Sequence, residues 1–190
     1  MSTLRGRLPT VTEPGLAVFV SGVASMGLEI LSGRIVAPQY GSSIYTWGTI
    51  IGVFLAALSL GYHRGGQRAA EDASVDRMAW LLMATAAYVA GVVFAGDILL
   101  VGVSGLPLPA RFASLPAVTL LFGPPTYLLG YISPYAAELA ETDEIGQASG
   151  HVYAVGTVGS ILGAFGTTFV LIPTLSVEWI GFVLGGLLVG

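Results

Sequence analysis

Cysteine is absent from the 190 residues, and so is lysine. The first absence excludes disulfides, thiolate metal sites and cysteine nucleophiles, and says nothing of compartment. The second makes all seven basic residues arginine, against eleven acids, for a net charge of −4. That balance argues against a nucleic-acid partner. Charge of either sign is scarce: 9% of the chain, where a soluble domain carries about 25%. What fills the space is apolar, 54% of residues, with a mean hydropathy of +0.82. The chain reads as an integral, multi-pass protein of the cell membrane, with the lipid bilayer as its first partner. No soluble domain, heptad array or low-complexity tract interrupts it, so residues 1–190 read as one transmembrane domain.

A hydrocarbon core about 30 Å thick takes roughly 20 helical residues at about 1.5 Å each. Leu16–Ala37 meets that length. Arg5 and Arg7 precede it as in a signal peptide, but the run is too long for one and carries Glu29 and Arg34, so a retained helix is expected. Pro38 is expected to close it. Further spans follow at about 45–62, 78–103, 117–135 and 151–172, and a sixth starts near Val177 and runs to Gly190. The sixth reaches only about 20 Å along a helix, so the natural chain is expected to continue. The expectation is all-α, a bundle of about six spans with the last cut short. His63–Arg77 reads as the most charged loop, Ser104–Pro116 as a proline-rich loop with room for a short turn, and Glu138–Glu144 as an acidic loop.

With the N-terminus inside, Arg5, Arg7, Arg64, Arg68 and Arg77 are cytoplasmic and only Arg34 and Arg111 lie opposite. Positive residues gather on the cytoplasmic side, so the N-terminus is expected there.

Within the spans a few residues break the apolar pattern. Gly22, Ser25, Glu29 and Ser32 share one face of the first span, a small and polar stripe that should point into the bundle. An ionisable group at such depth costs roughly 2.5–3.5 kcal/mol on the insertion scale and usually faces a partner or a cavity. Two roles are open to Glu29: a cation or proton site, or a carboxyl that holds neighbouring helices. Arg34 lies about 140° round the helix from it, so a direct pair is not implied; an anion partner, snorkelling and capping of a helix C-terminus are the alternatives. Tyr127, Tyr131 and Tyr135 recur every four residues beside Gly123-Pro124-Pro125, where a broken helix is expected. They suit an aromatic cage for an ammonium group or an interfacial belt. His151 opens the fifth span, where a proton-linked role is conceivable; without a second nearby histidine it is no metal site. Gly48, Gly52, Ala56 and Ser59 form a small face on the second span, and Gly156, Ser160, Gly163, Ala164 and Thr167 lie on or near one on the fifth, both suited to close helix approach. No Ser/His/acid constellation, phosphate loop, metal centre or cofactor motif is present.

Two blocks carry a resemblance. SGVASMGLEILSGRIVAPQYGSSIYTWGTIIGVFLAALSLGYHRGG, residues 21–66, and ASGHVYAVGTVGSILGAFGTTFVLIPTL, residues 148–175, resemble the N-terminal membrane part of the membrane-embedded spermidine synthase-like proteins. The matching features are Glu29 and Arg34, Pro38, Tyr40-Gly41 and the Gly61 to Gly66 end of the first block. In the second they are Tyr153, Gly156, Gly159, Gly163 and Pro173, with Gly156 where an asparagine is common. The resemblance implies a membrane module that anchors a cytoplasmic aminopropyltransferase-like domain or subunit, or passes it a polyamine-type cation. Any such catalysis would lie outside this chain. Glu29, Arg34, Tyr127, Tyr131 and His151 are the candidate substrate contacts. The alternatives are a stand-alone small-molecule transporter, a half of major-facilitator type that works as a homo-oligomer, and a purely structural anchor.

Overall fold

The computed structural model describes residues 12–140 and 145–190. Arg5, Arg7 and most of the acidic loop lie outside them. Seven helices account for nearly all of the described chain: α1 Glu13–Tyr40, α2 Ile44–Asp72, α3 Val75–Ser104, α4 Leu115–Leu129, α5 Ile132–Glu138, α6 Ile145–Gly166 and α7 Val177–Leu187. The α4/α5 pair acts as one bent span, and α6 continues through a π-helical turn, Thr167–Leu171, to Thr174. Five segments are thus long and apolar enough to cross a bilayer, with α7 as a shorter apolar sixth helix. The all-α expectation holds.

The outward faces identify the solvent. Phe94 is 77% exposed and Phe169 70%, and Trp80, Ile98, Val101 and Phe165 stand out beside them. Apolar surface on this scale belongs against lipid. The protein is a multi-pass membrane protein.

Helix α1 is the hub. It touches every other helix of the bundle, and its small residues explain why. It runs parallel to α6 at backbone contact: a methyl on Gly159 would collide with the Phe19 carbonyl, one on Gly163 with that of Val23, and one on Gly22 with that of Gly156. On another side Gly27 seats Leu184 of α7. The close approach foreseen for α6 is therefore present. That foreseen for α2 is not where it was expected: Gly48 and Gly52 have nothing within 4 Å of where a side chain would begin, and with Thr119, Gly123 and Pro124 they line an open apolar groove. Contact shifts instead to Gly61 and Gly65, which meet Tyr127, Gly130 and Tyr131. The C-terminal half of α2 lies against α4 and α5, whereas beside Gly48 and Gly52 a groove opens between α2 and α4.

Four boundaries differ from the sequence reading, each for a local reason. Helix α1 passes through Pro38, because a proline two residues before the helix end forfeits one intrahelical bond, and is capped by Gly41 with φ +79°, which suits glycine. Helix α2 does not stop at Tyr62 but carries its charged residues to Asp72; arginine, glutamine, alanine and glutamate are good helix formers outside lipid as well as in it. The turn is only Ala73-Ser74, where Ser74 Oγ accepts from the Arg77 amide at 3.3 Å and Arg77 pairs with Asp72. Helix α6 begins at Ile145 rather than His151, and widens before Pro173, whose ring cannot fit or donate in a tight α-turn.

The fourth difference concerns Gly123-Pro124-Pro125, which does not break the span. Helix α4 continues through it to Leu129, and the break falls at Gly130-Tyr131, ahead of Pro134. Pro124 leaves the Leu120 carbonyl without its helical donor, and the Tyr88 hydroxyl of α3 donates to that oxygen at 2.6 Å. Tyr88→Phe should therefore lower stability by about 0.6–1.7 kcal/mol, the range of interhelical hydrogen bonds in membranes. Thermal unfolding in detergent checks it, and Tyr135→Phe, whose hydroxyl makes no such bond among the described residues, should leave the midpoint unchanged.

Candidate functional site

Glu29 lies past the middle of α1, partly buried. Among the described residues its carboxylate enters no hydrogen bond or ion pair; only its backbone carbonyl is engaged, by Ser32 Oγ at 2.6 Å. The stripe that carries it points inward as expected: Ser25 and Ser32 are buried, and Gly22 and Glu29 partly so. One turn further along α1, Gly33 is covered by the Trp47 indole of α2, whose Nε1 donates to Ser42 Oγ at 3.2 Å.

Arg34 does not pair with Glu29. Its Nη1 donates to the carbonyl of Ile172, 3.4 Å away, at the end of the α6 extension. A helix C-terminus presents unsatisfied carbonyls and partial negative charge, so this contact satisfies part of the demand that the α6 turn leaves. Of the roles open to Arg34, capping is the one its geometry supports.

Tyr127 and Tyr131 are adjacent, with ring centroids 5.2 Å apart, a T-shaped arrangement, and hydroxyls 2.5 Å apart. Tyr135 follows at 6.4 Å from Tyr131. The tyrosines do share a face, but Tyr127 borders the apolar groove between α2 and α4, and Tyr131 and Tyr135 line a cavity that already holds Arg68 and Arg77 with Trp80. A further cation gains little there. Depth separates them from Glu29 too. Gly33 meets Trp47, and Gly61 meets the Tyr127 carbonyl; counted along α2 at about 1.5 Å per residue, Glu29 and Tyr127 stand roughly 15 Å apart in depth. His151 is exposed in the second turn of α6, beside a cavity of about 590 Å³ bounded also by Thr12, Gly15, Val75 and Gln147. The five candidates therefore occupy separate levels, counted from the end where α1 finishes: Arg34 first, Glu29 next, then Tyr127 with Tyr131, and His151 near the opposite end.

Other residues come to Glu29's stripe from helices that no feature of the sequence joins to it. Tyr62 of α2, Ser133 of α5, and Tyr153 and Ser160 of α6 face Ser21 and Ser25 of α1 across a cavity of about 240 Å³. In the sequence Tyr62 marks only the end of the second span, Tyr153 stands out only in the block that carries the resemblance, and Ser133 carries no signal. The polar stripe on α1 was the one pointer to such a cavity.

Compared with models of protein families, with curated proteins and with solved structures, the chain has no match.

Proposed function

We propose that this multi-pass protein is a membrane module that receives a cationic amine at Glu29 and serves an aminopropyltransferase-like partner on the cytoplasmic side, as the likeness to spermidine synthase-like proteins implies. The observation that carries the reading is a single carboxylate inside the bundle with no protein partner among the described residues. An unpaired carboxylate at that depth is costly, and a bound ammonium offsets the cost by supplying the opposite charge and its donors. The end of the bundle with Arg64, Arg68 and Arg77 is the cytoplasmic one. Arg34 takes a capping role and Tyr127 and Tyr131 a packing role, so the amine contact rests on Glu29.

Binding of radiolabelled spermidine to the purified chain in proteoliposomes tests this. Saturable binding to the wild type is expected, with Glu29→Gln weakening it at least tenfold, the worth of about 1.4 kcal/mol, while the thermal midpoint stays level or rises. Equal binding by both proteins, or a fall in stability alone, supports a structural carboxyl instead.

A second reading, assembly of copies into a transporter, is favoured by the exposed small face of Gly48, Gly52 and Ala56 on α2. Small residues at four-residue spacing let two helices approach closely in lipid.

A further inference from the structure

The cavity over Ser21 and Ser25, on the stripe that carries Glu29, has a direction. Its lining is hydroxyl-rich, with Ser21 and Ser25 as floor, and it lies between α2 and α6 over α1. A second cavity of about 190 Å³ shares Tyr62, Ser133 and Tyr153 with it and extends to Ser149, in the second turn of α6. Together they form a crevice that starts at the end of the bundle where α1 and α6 begin. It stops one helical turn short of Glu29, since Ser25 and Glu29 are four residues apart on one face.

Its hydroxyls are not all satisfied by protein. Ser21 Oγ donates to its own helix at Val18 O, 2.9 Å, and Thr157 does the same at Tyr153 O, 2.7 Å. Ser25, Ser133 and Ser160 make no hydrogen bond with the described residues, although Ser25 is only 6% exposed. A lipid chain offers such groups nothing. Water offers each a donor and an acceptor, and a cavity of this size and polarity meets the conditions for holding several molecules. The other end is shut: beyond Glu29 the Trp47 ring lies on Gly33, and Arg34 ties α1 to the end of the α6 extension.

We propose that this crevice is a water-filled, one-sided access route to Glu29, open where α1 begins and sealed at the opposite end by Trp47, and that it admits hydrated organic ammonium ions. The choice of cargo rests on the reading of Glu29 given above, whereas the route stands on the crevice itself.

The absence of cysteine makes the test direct, because every thiol introduced is the only one. Ser25→Cys is reconstituted in liposomes and exposed from one side at a time to a membrane-impermeant cationic thiosulfonate. Ala73→Cys, in the α2–α3 turn, and Leu106→Cys, at the other end, report which side is which. Ser25→Cys should label from the Ala73 side at least tenfold faster than from the Leu106 side, and lipid-facing Val158→Cys should not label. Ser160→Cys repeats the measurement from α6, in case the α1 variant is poorly folded. Adding Trp47→Ala should open labelling from the Leu106 side, and Trp47→Phe should not. Reaction only with a membrane-permeant reagent, or from the Leu106 side with Trp47 in place, overturns the route. Spermidine should slow the one-sided labelling at least tenfold. One-sided labelling that spermidine leaves unchanged overturns the amine cargo and upholds the route.

Discussion

Gly159→Leu is expected to prevent α1 and α6 from packing, and with them the bundle from forming. The two helices lie parallel at backbone contact, and the first side-chain atom at position 159 would overlap the Phe19 carbonyl, an atom with no rotamer by which to yield. Gly159→Ala already forces the helices apart locally, and overpacking of this kind costs about 1–3 kcal/mol. At roughly 2–4 °C per kcal/mol for a chain of this size, the midpoint should fall by about 2–12 °C. Leucine adds three more carbons at the same point and should leave no monodisperse protein on size exclusion in mild detergent. The control is on the same helix. Gly166 has open space where a side chain would begin, so Gly166→Ala should be neutral or stabilising by up to about 1 kcal/mol, the helical preference of alanine over glycine. Equal losses at 159 and 166 would rule out a contact-specific role for the former.

Gly61→Leu should have a comparable effect through a different pair of elements. Where α2 crosses the α4/α5 bend, Gly61 and Gly130 face one another, and a methyl on either would meet the other's backbone; at Gly61 it would also meet the Tyr127 carbonyl, and at Gly130 the Leu58 carbonyl. Because a single separation of the helices relieves both clashes, Gly61→Ala and Gly130→Ala should be markedly sub-additive in a double-mutant cycle, which thermal unfolding of the four proteins measures. Gly52→Ala, on the same helix but beside the open groove, should leave the midpoint within about 0.5 kcal/mol of wild type. A loss at Gly52 as large as that at Gly61 would mean that the outer half of α2 is packed against something, as a second copy of the chain would do.

These contrasts show which features were readable in advance. Span number and helical class follow from the length and hydropathy of the apolar runs, because a backbone in lipid must satisfy its own hydrogen bonds and helices do so locally. The stripe on α1 was readable for a related reason: Ser25 and Glu29 depart from an apolar background, and helical periodicity alone puts them on one face. Glycine ladders were readable as candidates for close approach but not as contacts. In α6 the ladder is used, and in α2 the obvious one at Gly48 and Gly52 is idle while Gly61 is engaged. Proline was the least dependable signal. Pro124 and Pro125 sit inside α4 because another helix, through Tyr88, supplies a donor to a carbonyl they leave free.

The sequence by itself therefore determined that this is a lipid-embedded helical bundle with a carboxyl and a polar stripe on its first span, since both depend on composition and on spacing within a helix. Tertiary structure alone decided that Tyr62, Ser133, Tyr153 and Ser160 meet that stripe, that Trp47 covers its outer end, that Arg34 caps α6, and that the tyrosine pair stands well away from Glu29. Those relations join residues far apart in the chain, and they are set by which helix faces are small enough to touch, a property of pairs of helices that no single span contains.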